Sequence, residues 1–64
     1  MKIVSKRGAE LASGDIVATW YGNHAILEIL LYTGPFDFLC GIARFAVAEI
    51  TIERNGLYEV LQPD

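Results

Sequence analysis

Two side chains in this sequence of 64 residues carry groups that commonly act as base, nucleophile or metal ligand: the single histidine, His24, and the single cysteine, Cys40. A catalytic histidine needs a nucleophile and an orienting carboxylate within reach, and a structural zinc needs several Cys or His ligands. The sequence supplies neither set at a recognisable spacing. We therefore predict no enzyme activity, no metal site and no cofactor. His24 is predicted to be a polar turn residue, and Cys40 a small apolar residue in a packed segment.

Aromatic residues near predicted turns are the second group of candidates, because Trp, Tyr and Arg commonly anchor protein partners. Arg44 and Glu28 each interrupt a long apolar stretch, which favours a cross-strand ion pair between them or a partner-binding role for Arg44. The aromatic residues also suit core or dimer packing, and strand alternation places Trp20 and Tyr21 on opposite faces. The predicted partner-binding residues are Trp20, Tyr21, Tyr32, Phe36, Phe38 and Arg44.

Composition favours contact with proteins over contact with nucleic acid. The net charge is -3, the sequence pI is about 4.9, and 53% of the residues are hydrophobic. A domain this small has little interior, so part of that apolar surface is expected to be exposed or covered by a partner. The run 25–32 is apolar on both faces, which predicts a homo-oligomer.

The alternative hypothesis is nucleic-acid binding through aromatic stacking, with Lys2, Lys6, Arg7 and Arg44 contacting the backbone. The acidic charge balance makes nucleic acid the less favoured partner. Apolar runs are too short to cross a bilayer, and Glu10 and Asp15 interrupt the segment after the basic start. We therefore expect no membrane span and no signal peptide, and a reducing cytoplasm for the unpaired thiol.

Turn residues divide the chain into short apolar runs, which is the pattern of one small β-domain spanning residues 1–64. The predicted turns are Lys6-Arg7-Gly8, Ser13-Gly14-Asp15, Gly22-Asn23-His24, Thr33-Gly34-Pro35 and Asn55-Gly56. The predicted strands lie at 1–5, 16–21, 25–32, within 36–52, and at 57–61. Asn55-Gly56 predicts a hairpin closed by a type I′ turn.

The segment 36–52 allows two interpretations. As strands it divides near Ala46 to Ala48, with Ile50 and Ile52 facing the core and the flanking polar residues facing outward. As an alternative, a helix at about 36–48 collects its apolar residues on one face and gives an α+β fold with the order ββαββ. Gly41 and the aromatic content favour the strand.

About five short antiparallel strands joined by tight turns predict an all-β fold, a small, partly open barrel of the SH3-like type. The Gly14-Asp15 turn, followed by a strand with an aromatic end and a second long strand, resembles the start of SH3-like, Tudor-like and KOW-type modules. That resemblance concerns architecture and implies no binding residues. We predict a non-catalytic protein-interaction module that self-associates. Inhibitors or accessory regulators encoded by phages and other mobile elements are proteins of this kind.

Overall fold

A computed structural model describes residues 1–63 and is built almost entirely of β-strands. A single 3₁₀ turn, Gly8–Glu10, follows the first strand. The strands are β1 Lys2–Arg7, β2 Ile16–Thr19, β3 Gly22–Ala25, β4 Glu28–Leu31, β5 Leu39–Arg44, β6 Glu49–Glu53 and β7 Leu57–Gln62. The all-β prediction is confirmed. No helical segment in these residues has the length and hydropathy needed to span a bilayer.

The strands form two antiparallel sheets. One contains four strands in the order β1-β7-β2-β3, and the other contains three in the order β4-β5-β6. Neither sheet closes on itself, so β1, β3, β4 and β6 each have a single strand neighbour. The described residues form seven strands where about five were predicted; the predicted turn 22–24 lies in a strand of its own, β3, and the segment 36–52 contributes both β5 and β6.

Residues 22–31 connect the two sheets without a loop. The Ile26 N–H donates to the Asp15 carbonyl over 2.8 Å, and the Ile26 carbonyl accepts from Gly14, which extends the β2–β3 pairing. The next residue, Leu27, donates its N–H to the carbonyl of Arg44, the last residue of β5, over 2.7 Å. Adjacent residues therefore bond to different sheets, and the chain changes sheet at Ile26 and Leu27.

The core lies between the sheets and takes side chains from both. Strand β6 follows the predicted alternation, since Ile50 and Ile52 are more buried than Glu49, Thr51 and Glu53. The predicted division of 36–52 near Ala46 to Ala48 is also confirmed, since β5 ends at Arg44 and β6 starts at Glu49. The fully or nearly buried apolar residues are Leu11, Val17, Ile26, Ala43, Phe45, Ile52 and Val60.

The alternative helix at 36–48 is wrong, because β5 occupies residues 39–44 at the centre of that segment and no helix forms there. Strand β5 is central in its sheet and pairs with β4 on one side and β6 on the other. Gly41 is buried there, and a Cβ at this position would lie 3.1 Å from the Leu30 carbonyl oxygen. The glycine that lowers helix propensity thus allows β4 and β5 to approach closely.

The predicted Asn55-Gly56 hairpin is wrong as well. Strands β6 and β7 belong to different sheets and do not pair. Neither Asn55 nor Gly56 has a positive φ, so the type I′ turn is not formed. Instead the Gly56 N–H donates to the Glu53 carbonyl over 3.1 Å, closing a turn that carries the chain from one sheet to the other.

Two other predicted turns are displaced. The hairpin between β2 and β3 turns at Trp20 and Tyr21, and the predicted turn residues Gly22, Asn23 and His24 lie within β3. Lys6 and Arg7 extend β1 and are not a turn, because both pair with β7. The chain leaves that ladder at Gly8, whose N–H donates to the Gly56 carbonyl over 2.9 Å.

Candidate functional site

The four edge strands differ sharply in how they are protected against pairing with another chain. Proteins usually protect exposed edges with charged residues, bulges or very short strands. Strand β1 carries lysine and arginine, β6 begins and ends with glutamate, and β3 is a short segment with polar residues at its centre. Strand β4, Glu28–Leu31, has all four residues exposed and three of them are aliphatic. It is the least protected edge in the described part of the chain.

The pairing register explains why β4 is exposed. Ile29 lies opposite Ala43, and Leu31 lies opposite Gly41, so both share the inner face with buried residues of β5. The core covers the centre of this face but not its border, since Ala43 is fully buried while Leu31 is 79% exposed. Inward-facing apolar side chains therefore reach the surface along β4.

Two exposed phenylalanines lie in the connection that follows β4. Phe36 and Phe38 lie in the connection to β5, are 54% and 55% exposed, and have ring centroids 5.7 Å apart. Backbone bonds fix the connection, because the Phe36 carbonyl accepts from Leu39 and the Phe38 carbonyl accepts from Arg54. We call the combined set the β4 surface; its members are Leu27, Ile29, Leu30, Leu31, Phe36 and Phe38.

Arg44 forms the predicted cross-strand ion pair. Its guanidinium lies 2.7 Å from Glu28 Oε1, and both side chains are about half exposed. The two residues are register partners of β4 and β5 on the outer face, and Glu49 lies opposite Arg44 on its other side. The charges at the start of β4 thus balance each other, which leaves the rest of the strand apolar.

The remaining predicted site residues do not join the β4 surface. Trp20 is 94% exposed at the β2–β3 turn, and its ring meets Tyr21 edge to face at 5.0 Å. Tyr21 stacks on His24 at 5.2 Å, and His24 in turn lies 6.3 Å from Phe45. Trp20 and Tyr21 precede β3, whereas Phe36 and Phe38 follow β4. The predicted set therefore falls into two groups at opposite ends of the segment 22–31.

The side chains of His24, Tyr32 and Cys40 are each half-buried. His24 is not a turn residue as predicted, but a half-buried strand residue packed between aromatic rings. Tyr32 is half-buried and packs against Gly34, so its ring supports the connection and is not an open contact surface. Cys40 is half-buried against the core, in keeping with its predicted role as a small apolar residue.

Two of the four cations in the nucleic-acid hypothesis have acidic partners. Lys6 Nζ lies 3.2 Å from an Asp15 carboxylate oxygen, and Arg44 is paired with Glu28. A phosphate would have to compete with these carboxylates, which weakens the electrostatic term that drives nucleic-acid binding.

Residues 1–63 enclose no cavity of ligand size and bring no three His, Cys, Asp or Glu side chains together as metal ligands. No protein-family model, curated protein or solved structure matches this chain.

Proposed function

We propose that this protein is a non-catalytic protein-binding module and that its partner docks on the β4 surface. One observation carries the proposal: an edge strand with all four residues exposed bears three aliphatic side chains and a single charge that is already paired. An unprotected apolar edge of this kind is a template for another strand.

The proposed mode of binding is addition of a strand to the three-stranded sheet. In such complexes the main-chain hydrogen bonds supply affinity, and alternate side chains supply specificity. Ile29 and Leu31 would contact the partner on the inner face, while Leu30 would do so on the outer face. The partner would therefore present an extended segment whose inner-face side chains, opposite Ile29 and Leu31, are apolar.

The size of the surface agrees with this role. From their exposed fractions, the six side chains present on the order of 500 Å² of apolar area. The largest apolar patch on a typical monomer measures about 300–600 Å² and is often functional. The β4 surface lies in the upper part of that range on a protein whose total accessible surface is 4298 Å².

We further propose that the two sheets form a partly open barrel of the SH3-like type. The support is the segment 22–31, which serves as the edge of both sheets and changes partner at Ile26 and Leu27. A cytoplasmic location and a role as inhibitor or accessory regulator, of the kind that phages encode, belong to the same proposal. The unpaired Cys40 supports a reducing compartment.

A charge substitution on β4 tests the proposed function. The purified chain captures partners from a lysate, these are identified, and each is then purified and titrated against Leu31→Lys and the wild type. A second copy of this chain counts as such a partner. We expect the affinity to fall at least about tenfold, because a lysine ammonium would be desolvated at the interface.

The matched control is Val47→Lys, which places the same charge on another exposed aliphatic residue, in the bend between β5 and β6. Val47→Lys should bind as the wild type does. The proposal fails if Leu31→Lys binds every purified partner normally, or if both variants lose affinity equally.

A further inference from the structure

We infer that the protein occupying the β4 surface is a second copy of this chain, joined through antiparallel pairing of β4 with β4 across a two-fold axis. The product is one six-stranded sheet in the order β6-β5-β4-β4-β5-β6. The inference rests on the proposed function, because it names the partner that the β4 surface binds.

The register of this pairing is constrained by geometry. Residues that lie opposite each other in an antiparallel pair must project to the same face of the sheet. For two identical strands, the axis must then pass through a residue and not between two residues. With the axis at Ile29, each Ile29 meets its counterpart on the inner face, and Leu31 lies opposite Leu27 of the partner subunit. The pairing thus brings together aliphatic side chains that are exposed in one protomer.

Charge favours self-pairing of β4 over self-pairing of β1 or β6. In the register with the axis at Ile29, Glu28 lies opposite the partner's Leu30, so no like charges face each other. A comparable pairing of β6 around Thr51 would place Glu49 opposite Glu53 of the partner subunit. Like charges directly opposite each other destabilise a sheet. Of these two strands, only β4 pairs with itself around its central residue without a charge conflict.

Self-pairing of β1 would also place like charges opposite each other. Pairing around Val4 would place Lys2 opposite Lys6 of the partner subunit. The ion pair of Glu28 with Arg44 within one protomer removes the need for a basic or acidic partner at β4. A neutral apolar surface on a chain of net charge -3 is therefore complementary to another copy of itself.

The buried area is sufficient for a reversible dimer. Two β4 surfaces of about 500 Å² each give about 1,000 Å² in total, the lower limit for a specific interface. Added backbone hydrogen bonds would lie at the centre of this area. We therefore expect a dimer that dissociates on dilution into the micromolar range.

A cysteine at the axis gives a direct test. Cα atoms of antiparallel partners lie about 4.5–5.5 Å apart, within the roughly 4.4–6.8 Å that a disulfide spans. Ile29→Cys in a Cys40→Ala background should form a covalent dimer on mild oxidation at least about tenfold faster than Val47→Cys in the same background. Equal rates for the two variants would overturn the inference.

Sedimentation of the unmodified chain provides a second measurement should Ile29→Cys fail to fold. The wild type should show a monomer–dimer equilibrium up to several hundred micromolar, and Leu31→Lys should remain monomeric. A wild-type monomer throughout this range would overturn self-pairing. If Leu31→Lys then still weakened binding to a different purified protein, self-pairing would be excluded and the proposed protein-binding function of the β4 surface would remain supported.

Discussion

Gly8 is the position where a single added methyl group should damage the fold most. It is buried where the chain leaves β1, and the carbonyl oxygen of Glu53 lies against the place that a Cβ would occupy. The same Cβ would lie 2.5 Å from Ile52 Cγ2 and 2.9 Å from the Glu53 carbonyl carbon. Backbone cannot rotate away as a side chain can, so Gly8→Ala must separate this segment from the end of β6.

The cost of that separation has two parts. Overpacking typically costs about 1–3 kcal/mol. The hydrogen bonds from Gly8 to Gly56 and from Ala9 to Arg54 would also weaken, at about 0.5–1.5 kcal/mol each. Alanine has a lower conformational entropy than glycine in the unfolded chain, which raises the free energy of unfolding by up to about 1 kcal/mol and offsets part of this loss. We expect a net loss of about 3 kcal/mol, a large part of the stability of a domain this small.

Urea unfolding followed by far-ultraviolet circular dichroism measures this loss. The fluorescence of Trp20 is a poor reporter, because that side chain is already 94% exposed in the folded protein. The control is Gly14→Ala, where no atom lies within 4 Å of the added methyl group and only the φ of +94° is unfavourable. It should cost about 1–2 kcal/mol. The reasoning is refuted if Gly8→Ala unfolds within 0.5 kcal/mol of the wild type (about the scatter of neutral substitutions), or if Gly14→Ala is the more damaging.

Three further substitutions test other parts of the fold. Ile52→Ala removes a core side chain that is 1% exposed and should lower the free energy of unfolding by about 2–5 kcal/mol in urea; a loss below 1 kcal/mol, about the average mutation, would contradict the described core. Arg44→Ala should cost less than about 1 kcal/mol, because its pair with Glu28 is half exposed, and the difference from the wild type should shrink when salt is added. Trp20→Ala should leave the thermal midpoint nearly unchanged, and a shift as large as that of Ile52→Ala would show that Trp20 packs in the folded protein.

The strands with one buried face were predictable from the sequence. The alternation of Ile50 and Ile52 with polar residues places β6 correctly, because a strand with one buried face alternates apolar and polar residues. The ion pair of Glu28 and Arg44 was also predictable, since isolated charges in apolar strands need partners. Both features depend on local pattern and on the pairing of neighbouring strands.

The turns show where local pattern fails. Asn55-Gly56 is a strong hairpin signal, yet the strands on either side enter different sheets, and the connecting turn follows from that topology. At the β2–β3 connection the turn falls on Trp20 and Tyr21, with Gly22 at a φ of +123° beginning the return strand. Turn propensity predicted that the strand is interrupted near Gly22, but it did not predict at which residue strand pairing starts again.

The candidate site was only partly predictable for the same reason. Phe36, Phe38 and Arg44 were identified by residue type, and the apolar character of both faces of 25–32 was visible. The exposed role of Ile29, Leu30 and Leu31 depends on β4 having a single neighbour, which is a property of the sheet order. Residue type favoured Trp20 and Tyr21, but these lie away from the unprotected edge.

Hydrogen exchange of the β4 backbone tests the central claim most directly. The β4 amides that do not donate to β5 should exchange rapidly in dilute protein and become protected as the concentration rises or as a purified partner is added, because strand addition bonds this free edge. The amides of the other edge strands, β1, β3 and β6, should not change. Protection confined to one of those strands, or exchange at these β4 amides that no concentration or partner alters, would contradict the assignment of the β4 surface as the binding surface.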